Sequence, residues 1–328
     1  MGHAVSPFLY TKKTGSYAVI KYLYVVISDD TDFYLEQAFV SITSLKMRMP
    51  NAFVSLLIDT TTETTLIDKR KNILGLVNEL KVIEIDARFN KKTRSRWLKT
   101  SMRKHVVGDF LYIDCDTIIC DDLSAVEDFA FDLGAVLDGH IPLHSSPYKK
   151  KYQYIDSMLG FNSSFVADSF FNSGIIFCKN TDIAYSFFDE WNRIWLAGKK
   201  GEILIDQPAF NQVNLDNPIV EIGGIWNCQI TMPGGIVFLA DAKIIHYFTS
   251  VRHYHHPYLL SNSNIFYEVK RTGIFNERLN KILLYPKQAF SLQTRLETRR
   301  VREIFFNALH IHAMEMKKKA VCLFRMKF

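Results

Sequence analysis

Residues 108–123, GDFLYIDCDTIICDDL, follow an apolar run with four aspartates. Phe110, Leu111, Tyr112 and Ile113 read as a strand buried in a sheet, with Asp114 and Asp116 emerging from its end. In an extended chain, side chains two apart share a face and stand about 6.6 Å apart along the strand. Two carboxylates therefore occupy one small space, where at an effective dielectric of about 20 they repel by roughly 2 to 3 kcal/mol. Solvation relieves that repulsion, and so does a cation between the groups. The plain reading is a strand ending in a polar turn, with Asp121 and Asp122 capping the next helix.

The surrounding pattern decides what kind of sheet this is. YLYVVIS (22–28) is a continuous β-rich apolar run of the kind buried on both faces, and it stops at Asp29, Asp30, Thr31 and Asp32. Leu35, Phe39 and Ile42 follow at helical spacing. FVSLLID (53–59) predicts a second strand, TTETTLIDKRKNILGLVNEL (61–80) a capped helix with Leu66, Ile73, Val77 and Leu80 on one side, and KVIEID (81–86) a third strand. Strands alternating with helices imply a doubly wound, mostly parallel α/β sheet, in which ligands bind beyond the carboxyl ends of strands. Asp29 and Asp114 both sit at such ends. Downstream, GAVLDGHI (134–141) reads as a strand, SPYKKKYQY (146–154) as a polar, basic connection, and FFNSGIIFCKN (170–180) as a turn entering a strand. AYSFFDEWNRIWLAG (184–198) reads as a helix, and Asp206 and Gln207 fall near the start of another. KIIHYFTSVRHYHH (243–256) runs a short strand into a histidine-rich loop.

At 328 residues and 48% hydrophobic content the chain can bury one large core with an appendage. We expect a catalytic domain over residues 18–265 and a helical, basic extension over 266–328. No stretch reaches the roughly 20 apolar residues of a membrane span, and the first residues lack the order of a signal peptide, so a cytoplasmic protein is expected. Five scattered cysteines suit reduced packing positions rather than a disulfide frame or a zinc site. Of the net charge of +6, residues 287–328 carry ten Lys/Arg against three Glu, a net of +7 that leaves the rest at about −1. Val301, Ile304, Phe305, Ala308 and Leu309 form an apolar helical stripe within that tail. Such a segment suits either packing on the catalytic domain with its charge solvated or an anionic membrane surface, reversibly held. No nucleic-acid partner is expected.

Taken in order, these motifs resemble the family 8 glycosyltransferases, retaining enzymes of the GT-A fold, from about Tyr22 to Tyr258. YVVISDD (24–30), SRWLKT (95–100), FLYIDCDTIICDDL (110–123), FFNSGIIFCKN, LIDQPAFN (204–211) and IIHYFTSVR (244–252) match six successive segments of that family. The resemblance implies a UDP-sugar donor, a saccharide or glycolipid acceptor, and Mn²⁺ or Mg²⁺ held by Asp114, Asp116 and His246. It implies donor contacts from Asp29, Thr31, Arg96, Asp114, Cys115, Asp138, Asn172 and Ser173, and catalytic roles for Asp206, Gln207 and Arg252. Chemistry asks for the same residue types: a nucleoside diphosphate is at least a dianion, and carboxylates with one imidazole suit a divalent cation that neutralises it. Arg252 stands where the family usually offers Lys, and a guanidinium can grip phosphate bidentately, which is compatible with the same role. Thr249 replaces the family's usual Gly in the same loop. His253, His255 and His256 compete with His246 as ligand, and Arg94 and Lys99 compete with Arg96 as donor contact. A phosphohydrolase of the dehalogenase type is the rival reading, but it places its Asp-x-Asp on the first strand, not after about a hundred residues of βα structure. A non-catalytic nucleotide-sugar-binding relative is the other.

Overall fold

The computed structural model describes residues 20–198, residues 205–247 apart from 217, 231 and 233, residues 263–287 and residue 316. The chain begins with β1 (Lys21–Val26), α1 (Tyr34–Arg48), β2 (Phe53–Asp59), α2 (Thr60–Thr64), β3 (Glu79–Ile83), α3 (Lys91–Ser101), β4 (Phe110–Ile113) and β5 (Thr117–Ile119). It continues through β6 (Leu133–Leu137), α4 (Lys149–Leu159), α5 (Ser163–Val166), β7 (Phe171–Cys178), α6 (Asp182–Gly198) and α7 (Gln207–Val213). Then come β8 (Val220–Glu221), β9 (Cys228–Gln229), β10 (Ile244–His246), α8 (Ser263–Thr272) and α9 (Glu277–Leu284).

Seven strands form the main sheet in the order β3-β2-β1-β4-β7-β6-β8. β3, β2, β1 and β4 run parallel, and β7 runs against both β4 and β6. The alternation of β1 explains the layering. Tyr22, Tyr24 and Val26 join the core under α1, while Leu23 and Val25 join the opposite core with Trp191, Trp195 and Phe210 of α6 and α7. Burial on both faces is what a continuous apolar run demands.

A second sheet, β5-β10-β9, begins three residues after β4 ends. Asp114, Cys115 and Asp116 are those three residues, so the paired aspartates mark the corner between the sheets. β10 lies antiparallel to β5 with His246 opposite Thr117, and Tyr247 N–H donates to the Asp116 carbonyl at 3.0 Å. That register carries a histidine 130 residues away to the aspartates.

Three stretches differ from expectation. Residues 61–80 do not form one helix: α2 lasts five residues, 3₁₀ turns span Asp68–Leu76, and β3 begins at Glu79. Five threonines between 60 and 65 are weak helix formers, and Asp59 accepts from Thr62 N at 2.7 Å, which caps only that short turn. The segment is held instead by Arg70, whose guanidinium reaches Glu36 at 2.8 Å and the Ser28 hydroxyl at 2.7 Å. Pairing of β3 with the exposed edge of β2 takes the residues that would have finished the helix. The basic connection after residue 146 contains helix α4, which ends at Gly160 in the left-handed region, φ +71°; that glycine is its stop signal. Asp122 caps no α-helix, accepting from Ser124 N at 2.6 Å at the head of a 3₁₀ turn.

Toward the C-terminus, Ile265, Phe266, Val269, Leu279, Ile282 and Leu283 share a core with Val40 of α1, Ile118 and Ile245. The expected domain boundary at residue 265 falls inside α8. The apolar stripe at 301–309 lies outside the described residues. No described helix is long and apolar enough to cross a membrane.

Candidate active site

Asp114, Asp116 and His246 each offer one ligand atom, and these atoms lie within 4.8 Å of one another. His246 Nε2 stands 3.1 Å from Asp116 Oδ1 and 3.9 Å from Asp114 Oδ2, with the ring only 2% exposed. Its other nitrogen, Nδ1, meets Asn227 Oδ1 at 3.0 Å, while the Asn227 amide donates to Asn172 Oδ1 at 3.0 Å. An amide oxygen only accepts, so Nδ1 carries the hydrogen and Nε2 turns to the carboxylates. This is the arrangement that orients a metal-ligating histidine.

Gly174 on β7 tests whether the cluster suits an ion. A Cβ there would lie 2.4 Å from His246 Cε1, 2.8 Å from Asp114 Oδ2 and 2.9 Å from Asn172 Oδ1. The lack of a side chain at 174 is what keeps the space between the three groups open. The two hard carboxylates and one imidazole of the cluster, with ligand atoms within 4.8 Å of one another, suit a divalent cation.

Beside the cluster lies a second carboxylate corner. Asp206, at the start of α7, is buried with Arg96 Nε at 3.1 Å, Lys99 Nζ at 3.3 Å and the Ser173 hydroxyl donating at 2.9 Å. Burial pushes its pKa up, but Lys99, Arg96 and Ser173 together outweigh burial and hold the carboxyl well below the usual range. Lys99, itself 5% exposed, also reaches Asp114 at 3.4 Å, so one ammonium spans both acidic corners. The Tyr112 hydroxyl donates to Asp114 as well; burial, then the Asp114 charge, drives that phenol well above its ordinary pKa.

Behind Asn172 a chain of polar groups extends inward. Asn172 Nδ2 donates to Asp138 Oδ1 at 2.9 Å and meets Gln207 Oε1 at 3.4 Å, and the Tyr152 hydroxyl of α4 donates to the other Asp138 oxygen. Asp138 therefore supports Asn172 rather than lining the cleft itself. The cleft encloses about 720 Å³, and its walls include Lys91, Arg96, Lys99, Cys115, Ser173, Gln207 and the three residues of the cluster. That volume is ordinary for a small-molecule site.

Most of the site residues expected from sequence converge here. Arg96 and Lys99 enter the cleft, whereas Arg94 turns away to Asp59 at 3.2 Å. Asp29 and Thr31 stand at the end of β1 but outside the lining, bound to each other and to Lys91. Some burial acts against it, yet Lys91 and Thr31 bring the Asp29 pKa down to about 2. Arg252, with His253, His255 and His256, lies outside the described residues. Sequence reasoning did not single out Asn227, Gly174, Tyr112 or Tyr152. Gly174 and Tyr112 sat inside quoted motifs, but Asn227 lies in a short 3₁₀ turn before β9 with no local pattern to mark it.

A mostly parallel sheet with an acidic, histidine-supported corner beside a cation-lined cleft defines a glycosyltransferase of the GT-A fold. The glycosyl transferase family 8 model matches residues 25–252, and the chain belongs to that family. Its fold is similar to a crystal structure of the galactosyltransferase LgtC in complex with donor and acceptor sugar analogues, at 15% identity and TM-score 0.51, covering 80% of this chain and 99% of that one. An active-site glutamine-to-glutamate variant of LgtC matches over the same shares at 15% identity and TM-score 0.50. No curated protein matches the sequence at a significant level.

Replacing Gly174 by Ala is expected to fill the space between Asp114 and His246. Mn²⁺ affinity, measured by titration calorimetry with UDP present, should fall at least about tenfold while the far-ultraviolet dichroism stays that of the parent. Unchanged affinity would show that the ion sits elsewhere.

Proposed function

We propose that the chain transfers a hexose from a UDP-sugar to an acceptor hydroxyl with retention of configuration, using Mn²⁺ or Mg²⁺ at Asp114, Asp116 and His246. The observation that carries this reading is the juxtaposition of the three-residue cluster and the Asp206 corner across one cleft, bridged by Lys99. A divalent cation bound at the cluster supplies charge neutralisation for the diphosphate. Arg96, Lys99 and Lys91 add positive charge to the same wall, where the leaving group gains negative charge as the anomeric bond breaks.

The engagement of Asp206 argues for attack on the same face as departure. Both its oxygens are held, Oδ1 by Arg96 and Oδ2 by Lys99 and Ser173, which leaves it a poor nucleophile. Its place is to fix the two cations and the donor sugar's hydroxyls. Gln207, one residue on and tethered to Asn172, would lie by the reacting face. The bond from the anomeric carbon to the phosphate oxygen breaks, the bond to the acceptor oxygen forms, and the acceptor proton passes to the departing β-phosphate. Cys115 and Asn172 complete the donor contacts, with Asp29 and Thr31 on the nucleoside side and Arg252 on the phosphate. The catalytic unit, expected over residues 18–265, is extended to take in α8 and α9, which share its core, with the basic extension after it, in synthesis of a cell-surface polysaccharide or glycolipid.

The test is a thermal-shift panel of nucleotide sugars with and without Mn²⁺. One UDP-sugar should stabilise the protein only when metal is present, chelation should abolish transfer, and Asp116→Asn should lower turnover by roughly two orders of magnitude or more. Full activity in excess EDTA rejects the metal reading; release of phosphate from simple monoesters favours the phosphohydrolase. The membrane reading rests on the net +7 of residues 287–328. Co-sedimentation with anionic liposomes should be lost in a folded chain ending at residue 286; retention there assigns the contact to another surface.

A further inference from the structure

The loop of residues 29–33, which the proposed function puts on the nucleoside side of the donor, is gripped from two sides. On the cleft side, Lys91 of α3 reaches Asp29 Oδ2 and Asp32 Oδ2, each at 2.8 Å, and the Thr31 hydroxyl at 3.0 Å. On the far side, Lys270 of α8 donates to three main-chain carbonyls of the same loop, those of Asp29 at 3.2 Å, Asp30 at 2.8 Å and Asp32 at 3.0 Å. Its ammonium also lies 6.0 Å from the centre of the Phe33 ring, which packs edge-on against Tyr267 of α8 at 3.9 Å between centroids. Three carbonyl dipoles that converge on one point oppose each other unless a cation or water sits among them. An ammonium is the compact, three-donor group for that position.

α8 itself is anchored firmly enough to act as a fixed post. Ile265, Phe266 and Val269 are buried in the core with Val40 of α1, and Lys69 and Asn72 reach the carbonyls of Arg271 and Gly273 at 2.8 and 3.3 Å. The loop leads directly into α1, whose Tyr34 and Gln37 line the cleft. Yet the family match ends at residue 252, so the helix that fixes this loop lies beyond it.

We propose that Lys270 is a positioning residue for the nucleotide half of the donor: it holds loop 29–33 in its binding shape from the face opposite the cleft, making α8 part of the donor site. The inference rests on the reading of the cleft as a UDP-sugar site. Because Lys270 touches the loop's backbone and not the cleft, its loss should act on binding rather than on bond breaking. In Lys270→Met the loop's carbonyls lose their cation, and affinity for UDP with Mn²⁺ should fall about tenfold, with donor KM rising in step and kcat within about twofold of the parent. Lys270→Arg restores the charge and should recover part of the affinity.

Linkage supplies a second measurement that needs no variant. If α8 and the loop form one unit, UDP binding must stabilise both, so amide exchange in 263–272 should slow on adding UDP and Mn²⁺ along with that in 29–33. A folded Lys270→Met with unchanged UDP affinity overturns the proposal, and so does UDP protection confined to the loop. Failure of the unmodified protein to bind UDP at all would reject the donor reading itself, which is a different result.

Discussion

The site depends on the repulsion between Asp114 and Asp116. Both leave the corner between two sheets within three residues, and nothing in the local chain separates their charges. The fold answers with positive and polar groups: Lys99 from α3 and, two residues back on β4, the Tyr112 hydroxyl on Asp114, and His246 from β10 on Asp116. The open space left by Gly174 allows a divalent cation to complete that balance. A strand-end pair of this kind is stable only where the surrounding residues keep it stable, which ties the geometry of four separate elements to one electrostatic constraint.

Lys99 connects that constraint to the second acidic corner. Placed between Asp114 and Asp206, it fixes the distance between the cluster and the head of α7, while Trp191 of α6 donates its indole hydrogen to the Asp206 carbonyl at 3.0 Å and holds the other end. Buried ion pairs add little net stability once desolvation is counted. Their value here is in orientation, since both Asp206 oxygens are fixed at the cleft wall by two cations and Ser173.

Much of this was legible in the chain because it lies at strand ends. Buried runs such as 22–28 and 110–113 identify their own strands, and the acidic residues that follow them fall at the ligand side of a parallel sheet by topology alone. Asp206 and Asn172 were readable for the same reason, as polar groups at element boundaries. Asn227, Tyr152 and the bridging role of Lys99 were not, because each acts through a partner 14 to 19 residues away or on another element, and such pairings leave no spacing in the sequence. The segment after residue 60 misled because Leu66, Ile73 and Leu80 fit a helical period, yet threonine propensity and the open edge of β2 decided its structure. The grip of Lys270 on loop 29–33 was equally hidden, since 238 or more residues separate the partners.

The account turns on where a divalent cation binds when the nucleotide is present. Anomalous diffraction at the manganese edge, from crystals grown with UDP and Mn²⁺, tests this directly. One peak is expected within about 2.5 Å of Asp114, Asp116 and His246 Nε2, with diphosphate oxygens completing its coordination. A nucleotide bound in the cleft with no peak there, or with its manganese held by other residues, would contradict it.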